Sequence, residues 1–536
     1  MENTEFDYIV VGGGSGGCAV ASRLSEDPNI SVCLLEAGGK DKSFLIHMPA
    51  GVVALMPGGP NNWSFETVPQ KGLNGRTGYQ PRGKALGGSS SINAMVYIRG
   101  HKLDYDRWEN EGATGWSYSD VLPYFKKLEN FEPGADDYHG VGGPLNAATH
   151  RSPNPLNKNF LEAGRELQLP HTDDFNGANQ EGLGTYHVTQ KNGQRHSAAQ
   201  AYLEPHKGRE NLTIITKARA RKVTFEGKCA TGVDVQIGKK TYHLSARKEV
   251  ILAAGAFQTP QLLMLSGVGG ADHLKSHGID VVYDAPEVGN NLQDHIDYVV
   301  SYKSNSTDSF GFSFMGSIKM AKAAFSYIFK RKGMLTTNFT EAGAFLKTTP
   351  DVEHPDIQLH YVIALVDDHG RKLHWGHGIS CHVCVLRPKS KGAVRLESGD
   401  PFAAPLIDPN FLAEKEDADT LLRGVKLTRR IMQSSTFDSV RGEPLYLDET
   451  ITDGALLEDI RNRADTVYHP VGTCRMGSDE RSVVDPELRV RGVKGLRIAD
   501  ASVMPSLISG NTNAPSIMIG ERAADFIKST NNNQQI

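Results

Sequence analysis

"FDYIVVGGGSGGCAVASRLSEDPNISVCLLEAGG", residues 6–39, starts as a strand, breaks at a cluster of glycines, continues as a helix and closes on a second strand that ends in an acid. Tyr8 to Val11 is the short apolar, β-branched run that a buried parallel strand requires. Gly12, Gly14 and Gly17 follow in the pattern G-x-G-x-x-G. The three glycines meet different physical needs. Gly12 allows a tight turn, Gly14 has no Cβ and so lets backbone approach a pyrophosphate, and Gly17 permits close helix-to-strand packing. Ser15 opens the helix, whose free N–H groups and dipole favour an anion. Glu36, about 20 residues on, stands where an acid bonds ribose hydroxyls, with Ala37 beside it. Strand, turn, helix and acid together point to an α/β fold built on a dinucleotide-binding unit. FAD and NAD both use that unit, so the cofactor stays open at this point.

At 536 residues the chain exceeds what one hydrophobic core usually supports, so two domains are expected. Glycine, 56 residues, is well above the usual ~7 % and gathers at 12–17, 83–88 and 267–270, where backbone must come close to something. A net charge of −4 gives no reason to expect nucleic acid as a partner. Six cysteines (18, 33, 229, 381, 384 and 474) are too few and scattered for a disulfide framework. No signal-like segment precedes the first strand, and no apolar run reaches the ~18 residues of a membrane span. The expected location is the cytoplasm, with peripheral attachment to a membrane as an alternative.

Near the other end, "TVYHPVGTCRMG" (466–477) sets His469 before a proline and five residues ahead of Cys474. Taken locally, His469 is a catalytic base, a metal ligand with Cys474 or a core residue. A zinc site needs three or four ligands. The nearest other pair, Cys381 and Cys384, sits on a predicted strand with opposite parity, so its side chains face opposite sides. No metal is expected.

Further blocks decide the cofactor. "PRGKALGGSSSINAMVYIRG" (81–100) adds a second glycine loop at Gly87 and Gly88, small hydroxyl residues including Ser90, and then Asn93, an amide able to donate or accept. "GAFQTPQLLMLSGVG" (255–269) follows a buried strand. With "VGNNLQDH" (288–295), "TEAGAF" (340–345), "LRPKSKGAVRL" (386–396), "HPVGTCRMG" (469–477) and "GLRIADASVMPSLISGNTNAPSIMIGERAADFI" (495–527), these blocks resemble, in order and over nearly the whole chain, the signatures of the glucose–methanol–choline (GMC) family of FAD oxidoreductases.

The resemblance implies a Rossmann-like FAD-binding domain and a second, substrate-binding domain on an antiparallel sheet flanked by helices. It adds Ala94, Met95, Ala220, Ala254, Gly255, Asp500, Ala501, Asn511 and Pro515 to the cofactor contacts named above. Asp500 matches the family's acid near the sugar-alcohol chain and pyrophosphate; as a plain helix cap it would also make sense. Some relatives join FAD covalently to a histidine directly before the asparagine of the second glycine loop. Ile92 stands there, so bound FAD is expected to be noncovalent.

The activity implied is oxidation of a primary alcohol or polyol-like compound to the aldehyde, with hydride passing to flavin N5 and electrons going on to quinone or another acceptor. An oxidase using O2, a choline dehydrogenase and a non-redox hydroxynitrile lyase are the alternatives. Histidine suits the base because its pKa lies near neutrality, and the resemblance assigns that role to His469, with Asn513 holding the alcohol oxygen. Glu341, His360 and Tyr468 are implied as substrate-pocket residues, the glutamate matching one that balances a quaternary ammonium in choline-oxidising relatives.

Cofactor signatures occupy 1–150, 187–300 and 455–536, and 151–186 with 301–454 are expected to form the substrate cap. Within the cap, "FMGSIKMAKAAFSYIFKRK" (314–332) is an amphipathic helix with Phe314, Ile318, Ala321, Phe325 and Ile328 on one face and five basic residues elsewhere. Such a helix can lie on an anionic membrane. The stronger expectation is that its apolar side packs on the cap sheet.

Overall fold

β1 (Glu5–Val11) leads through α1 (Ser15–Leu24) to β2 (Val32–Glu36), and the two strands pair in parallel in a computed structural model that describes residues 4–534 except 152, 447 and 449. β3 (Leu212–Thr216) joins the outer edge of β2, and the long β4 (Lys240–Leu252) joins β1, both in parallel. Beyond β4 lie two antiparallel strands, Cys229–Ile237 and Ala218–Glu226, while Leu496–Ile498 pairs in parallel with the end of β4. Apolar runs such as Ile9–Val11 and Val32–Leu35 are buried on both faces, as an all-covered parallel sheet demands. α2 (Gly255–Leu265) springs from the end of β4 as α1 does from β1, so two helix N-termini meet beyond neighbouring strand ends.

A second sheet contains β5 (Ile296–Ser304), β6 (Ala342–Leu346), β7 (Ile357–Val362) and β8 (Gly376–Val385), with the helix α3 (Phe314–Lys330) between β5 and β6. The spatial order is Arg441–Pro444, β5, β8, β7, β6, Gly182–Thr185, every pair antiparallel. β5 belongs to this sheet from Ile296 onward and Asp465–Thr466 pairs with it, so a boundary at 300 would cut a strand. Gly392–Arg395 and Leu406–Asp408, inside the span expected to form the cap, belong to a separate three-stranded sheet with Asn290–Leu292.

Alternation gives the second sheet its two faces. Ile357, Leu359 and Tyr361 of β7 join one core with Leu421 and Val425 of the helix Lys415–Met432. Gln358 and His360 point the other way, towards the first sheet. α3 departs from expectation: Ala323 and Tyr327 are buried, while Phe314, Phe325 and Ile328 of its apolar side are exposed. The face of the sheet it was expected to cover is already packed against Lys415–Met432.

The chain ends in α4 (Asn513–Gln534), which lies along α1. Glu521 of α4 is fully buried and ion-paired to Arg23 of α1 at 2.8 Å, with the Tyr202 hydroxyl donating to it at 2.7 Å. A buried charge held by two donors fixes the last block against the first.

Candidate active site

A cavity of about 720 Å³ lies between the two sheets. At one end it is edged by Gly12, Gly14, Ser15, Glu36, Ala37, Gly88, Asn93, Ala94, Met95, Ala220, Ala254, Gly255, Asp500 and Ala501; at the other by His360, His382, Tyr468, His469 and Asn511. Most of the expected cofactor residues are thereby brought together. Four are not at its surface. Gly17 packs under the turn, where a Cβ would lie 1.9 Å from the Gly12 carbonyl oxygen. Gly87 donates its N–H to the Gly13 carbonyl at 2.6 Å, tying the two glycine loops together. Ser90 spends its hydroxyl on the Gly87 carbonyl (2.5 Å) and the Ala198 N–H (2.9 Å). Pro515 is buried in the first turn of α4.

The first end has the shape of a dinucleotide cradle. Gly12 has φ +109°, and a Cβ there would sit 2.3 Å from the Ala253 carbonyl oxygen, so only glycine turns the chain this close to β4. Gly88, φ +55°, comes within 2.7 Å (measured from an added Cβ) of the Gly14 Cα, so the two loops form one wall. The Glu36 carboxylate accepts from the Gly13 N–H (3.0 Å) and the Gly38 N–H (2.7 Å), and burial pushes its carboxyl up to about 7. Asp500 accepts from the Gly255 N–H (2.9 Å), the Thr259 hydroxyl (2.6 Å) and the Ser502 N–H (2.8 Å). It is a cap and a cavity residue at once.

Asn93 is held by a residue the sequence did not single out. Its Oδ1 accepts from the Met95 N–H (3.0 Å) and from Arg195 Nη1 (2.8 Å), which leaves the Nδ2 hydrogens as its remaining capacity. Arg195 is buried, donates also to the carbonyls of Ile46 and Asn93 at 2.8 and 2.6 Å, and burial pushes its guanidinium down to about 9. Ile92 lines the cavity and offers no nucleophile.

At the other end the hydrogen bonds fix a protonation state. His295 Nε2 lies 3.0 Å from the Leu386 carbonyl, which only accepts, so Nε2 carries the hydrogen. Burial holds His295 down to about 4, hence neutral, and its Nδ1 is an acceptor. His469 Nδ1, 2.9 Å away, must then be the donor. From the opposite side, the Tyr186 hydroxyl donates to the Leu359 carbonyl (2.7 Å) and accepts from Gln358 Nε2 (3.2 Å). Gln358 Nε2 also donates to Asn511 Oδ1 (3.1 Å), which turns Asn511 Nδ2 towards His469 Nε2 at 3.1 Å. Both chains end on the same ring, one at Nδ1 and one at Nε2: His469 is neutral with its lone pair on Nε2, at the cavity wall. Burial first, then His295, His360 and the Arg82 guanidinium, hold it well below the usual imidazole range. Asp294 fixes the backbone here, accepting from the His469 N–H at 2.8 Å. Asp294 and His295 lie in the "VGNNLQDH" block, whose sequence carries no sign of these contacts.

The expected partner of His469 has to be corrected. Asn511, not Asn513, meets the ring. Asn513 starts α4, and its Oδ1 accepts from the Ser15 hydroxyl at 2.8 Å, so it ties α4 to the first glycine turn. Glu341 is corrected too. It is 1 % exposed and outside the cavity, with the Asn154 N–H (2.8 Å), Asn157 Nδ2 (2.5 Å) and the Thr337 hydroxyl (2.6 Å) filling its carboxylate. The other two pocket residues are at the cavity. Tyr468 is bonded through its hydroxyl to His369 Nδ1 at 2.7 Å, and His360 has an Nδ1 that is buried without a partner.

A neutral imidazole nitrogen beside an amide donor, at the edge of a cavity shaped for a dinucleotide, suits removal of a hydroxyl proton. The comparisons with known proteins agree with that chemistry. The family described as GMC oxidoreductase matches in two parts, over residues 6–297 and 388–520. The chain is 49 % identical to an alcohol dehydrogenase (acceptor) of Pseudomonas putida, covering 97 % of this chain and 95 % of that one. It is 42 % identical to an oxygen-dependent choline dehydrogenase of Brucella ovis, over 98 % and 95 %. Among solved structures, pyridoxine 4-oxidase from Mesorbium loti superposes with a TM-score of 0.89 at 30 % identity, covering 98 % of this chain and 99 % of that one.

Proposed function

The chain belongs to the GMC oxidoreductase family, and we propose that it is an FAD-dependent dehydrogenase converting a primary alcohol to its aldehyde. Bound FAD would be held by the Gly12–Ser15 turn, Glu36, Gly88, Asn93 and Asp500, noncovalently because Ile92 cannot bond to it. FAD, when bound, supplies the acceptor for the carbinol hydride. The chain supplies proton management. A hydroxyl entering between His469 and Asn511 would donate to Nε2 and accept from Nδ2, replacing their direct contact, so that the base takes the proton while the amide steadies the charge left on oxygen. The single observation that carries this assignment is the pair of hydrogen-bond chains that end on the His469 ring, at Nδ1 and at Nε2, and leave its lone pair on Nε2.

The expended carboxylate of Glu341 supports an uncharged alcohol rather than choline as substrate. Quinone or a similar acceptor takes the electrons, in a cytoplasmic enzyme with no nucleic-acid partner. Among the described residues no helix is long and apolar enough to cross a membrane. We assign the FAD domain to 4–150, 187–295 and 467–534, with the second sheet and its helices as the substrate cap. Anaerobic mixing of the FAD-loaded protein with a panel of alcohols is the test. Bleaching of the flavin band is expected with neutral primary alcohols, and much less with choline. Cleavage of a cyanohydrin without bleaching would make it a lyase, and faster reoxidation by O2 than by a quinone analogue would make it an oxidase.

A further inference from the structure

α3 turns its most apolar residues to solvent. Ala323 and Tyr327 face the protein, and the Tyr327 hydroxyl reaches the His47 carbonyl at 3.4 Å. Half a turn round the axis, at 3.6 residues per turn, Phe314, Ile318 and Phe325 face outward. Phe314 is 80 % exposed, Phe325 63 % and Phe329 69 %. The rings of Phe325 and Phe329 lie 4.6 Å apart, so the side chains form a patch rather than isolated surface residues. Two further exposed aromatic side chains flank the helix. Phe44, also exposed, has its ring 6.0 Å from that of Tyr327. At the N-terminal end, Ser313 Oγ bonds His377 Nε2 at 2.7 Å, which brings the start of β8 alongside, and with it Trp375, the residue just before that strand, 84 % exposed.

Charge selects what covers this surface. Residues 314–332 contain no acid. Lys319 is paired with Asp308 at 3.1 Å, whereas Lys322, Lys330 and Lys332 stand exposed beside the apolar face. A second copy of the chain would bring these lysines against one another; an anionic lipid surface would neutralise them. The mouth of the cavity adjoins this helix, because Met320 of α3 lines it and is itself exposed, as are Val53 and Leu373.

We propose that the outward face of α3, with Phe44 and Trp375, docks on an anionic phospholipid bilayer and turns the mouth of the cavity to the lipid. Apolar reactants dissolved there, a long-chain alcohol or a quinone, would then enter without crossing water; that clause rests on the alcohol-oxidation assignment, whereas the docking does not. Co-sedimentation of the FAD-loaded protein with vesicles tests it. Pelleting is expected with phosphatidylcholine vesicles containing about one-third phosphatidylglycerol, and little with phosphatidylcholine alone or at high salt. The variant F325E/F329E should lower vesicle partitioning by at least about tenfold, while its flavin content and its reduction by a water-soluble alcohol match the parent. Should that variant fold poorly, K322E/K330E keeps the apolar face and should still weaken binding to anionic vesicles several-fold. The proposal is overturned if the parent stays in the supernatant with anionic vesicles, if both variants pellet as it does, or if the parent proves to be a dimer that F325E/F329E dissolves. Sedimentation and flavin bleaching are read separately, so failure of one leaves the other standing.

Discussion

The two sheets share one cavity but furnish it by different means. On the parallel sheet the wall is backbone: Gly12, Gly14 and Gly255 at strand ends and helix starts, with Glu36 and Asp500 bonding N–H groups of those same turns. On the antiparallel sheet the wall is side chains that alternation brings to one face, His360 and His382, with Gln358 of the same face buried behind them and bonded to Asn511. A backbone wall recognises a cofactor through atoms every residue possesses, so it is specified by where side chains are absent. A side-chain wall is specified by register across distant strands, and it is the side that can differ from one substrate to another.

The largest effect should come from the atom where both walls meet. His469→Ala is expected to slow flavin reduction about 10²–10⁴-fold with FAD still bound, because the ring is held by His295 and Asn511, not by the glycine loops. Stopped-flow reduction beside a flavin-to-protein absorbance ratio measures both; loss of FAD in that variant would join what the two walls separate.

The asparagines come next. Asn511→Ala removes the donor facing His469 Nε2 and should cost about 10- to 100-fold in the reduction rate. Asn513→Ala should leave that rate within about threefold and weaken FAD instead, since Asn513 joins α4 to Ser15. An inverted order would return the catalytic part to Asn513. The pair also marks what was legible. The glycine spacing, the strand before it and the acid after it could be read because they act within about 30 residues. The contacts of His469 could not: His295 lies 174 residues away and Gln358 lies 153 from Asn511. "GNTNAP" offers two asparagines, both at the cavity, and where α4 begins decides which one meets His469. Glu341 misled for a related reason. Its carboxylate is spent on Asn154 and Asn157, in a segment with no motif of its own, and α3 could not be oriented before the helix covering the second sheet was known.

A gentler probe is pH. A base must be unprotonated to act, and His469 is pushed below the ordinary imidazole range chiefly by burial. Activity should be present above that lowered pKa and lost as pH falls through it. The profile of kcat/KM should therefore run flat through about pH 6.5, with its acid limb lower. His295→Ala removes the acceptor of the Nδ1 hydrogen and should move that limb. An inflection at the unperturbed imidazole value would mean that the ring is exposed to water.

The smallest catalytic effect is expected at Glu341, where the two walls could have been confused. Three donors converge on its two oxygens, so Glu341→Gln replaces one acceptor oxygen by an NH2 that faces a donor. That mismatch in a buried site should cost about 1–3 kcal/mol of stability, seen as a lower denaturation midpoint. Reduction by a neutral alcohol should change by less than about threefold, since the group lies outside the cavity. If instead the variant keeps its stability and changes its preference between neutral and quaternary-ammonium alcohols, the carboxylate acts on substrate charge, and the side-chain wall extends one strand further than the hydrogen bonds indicate.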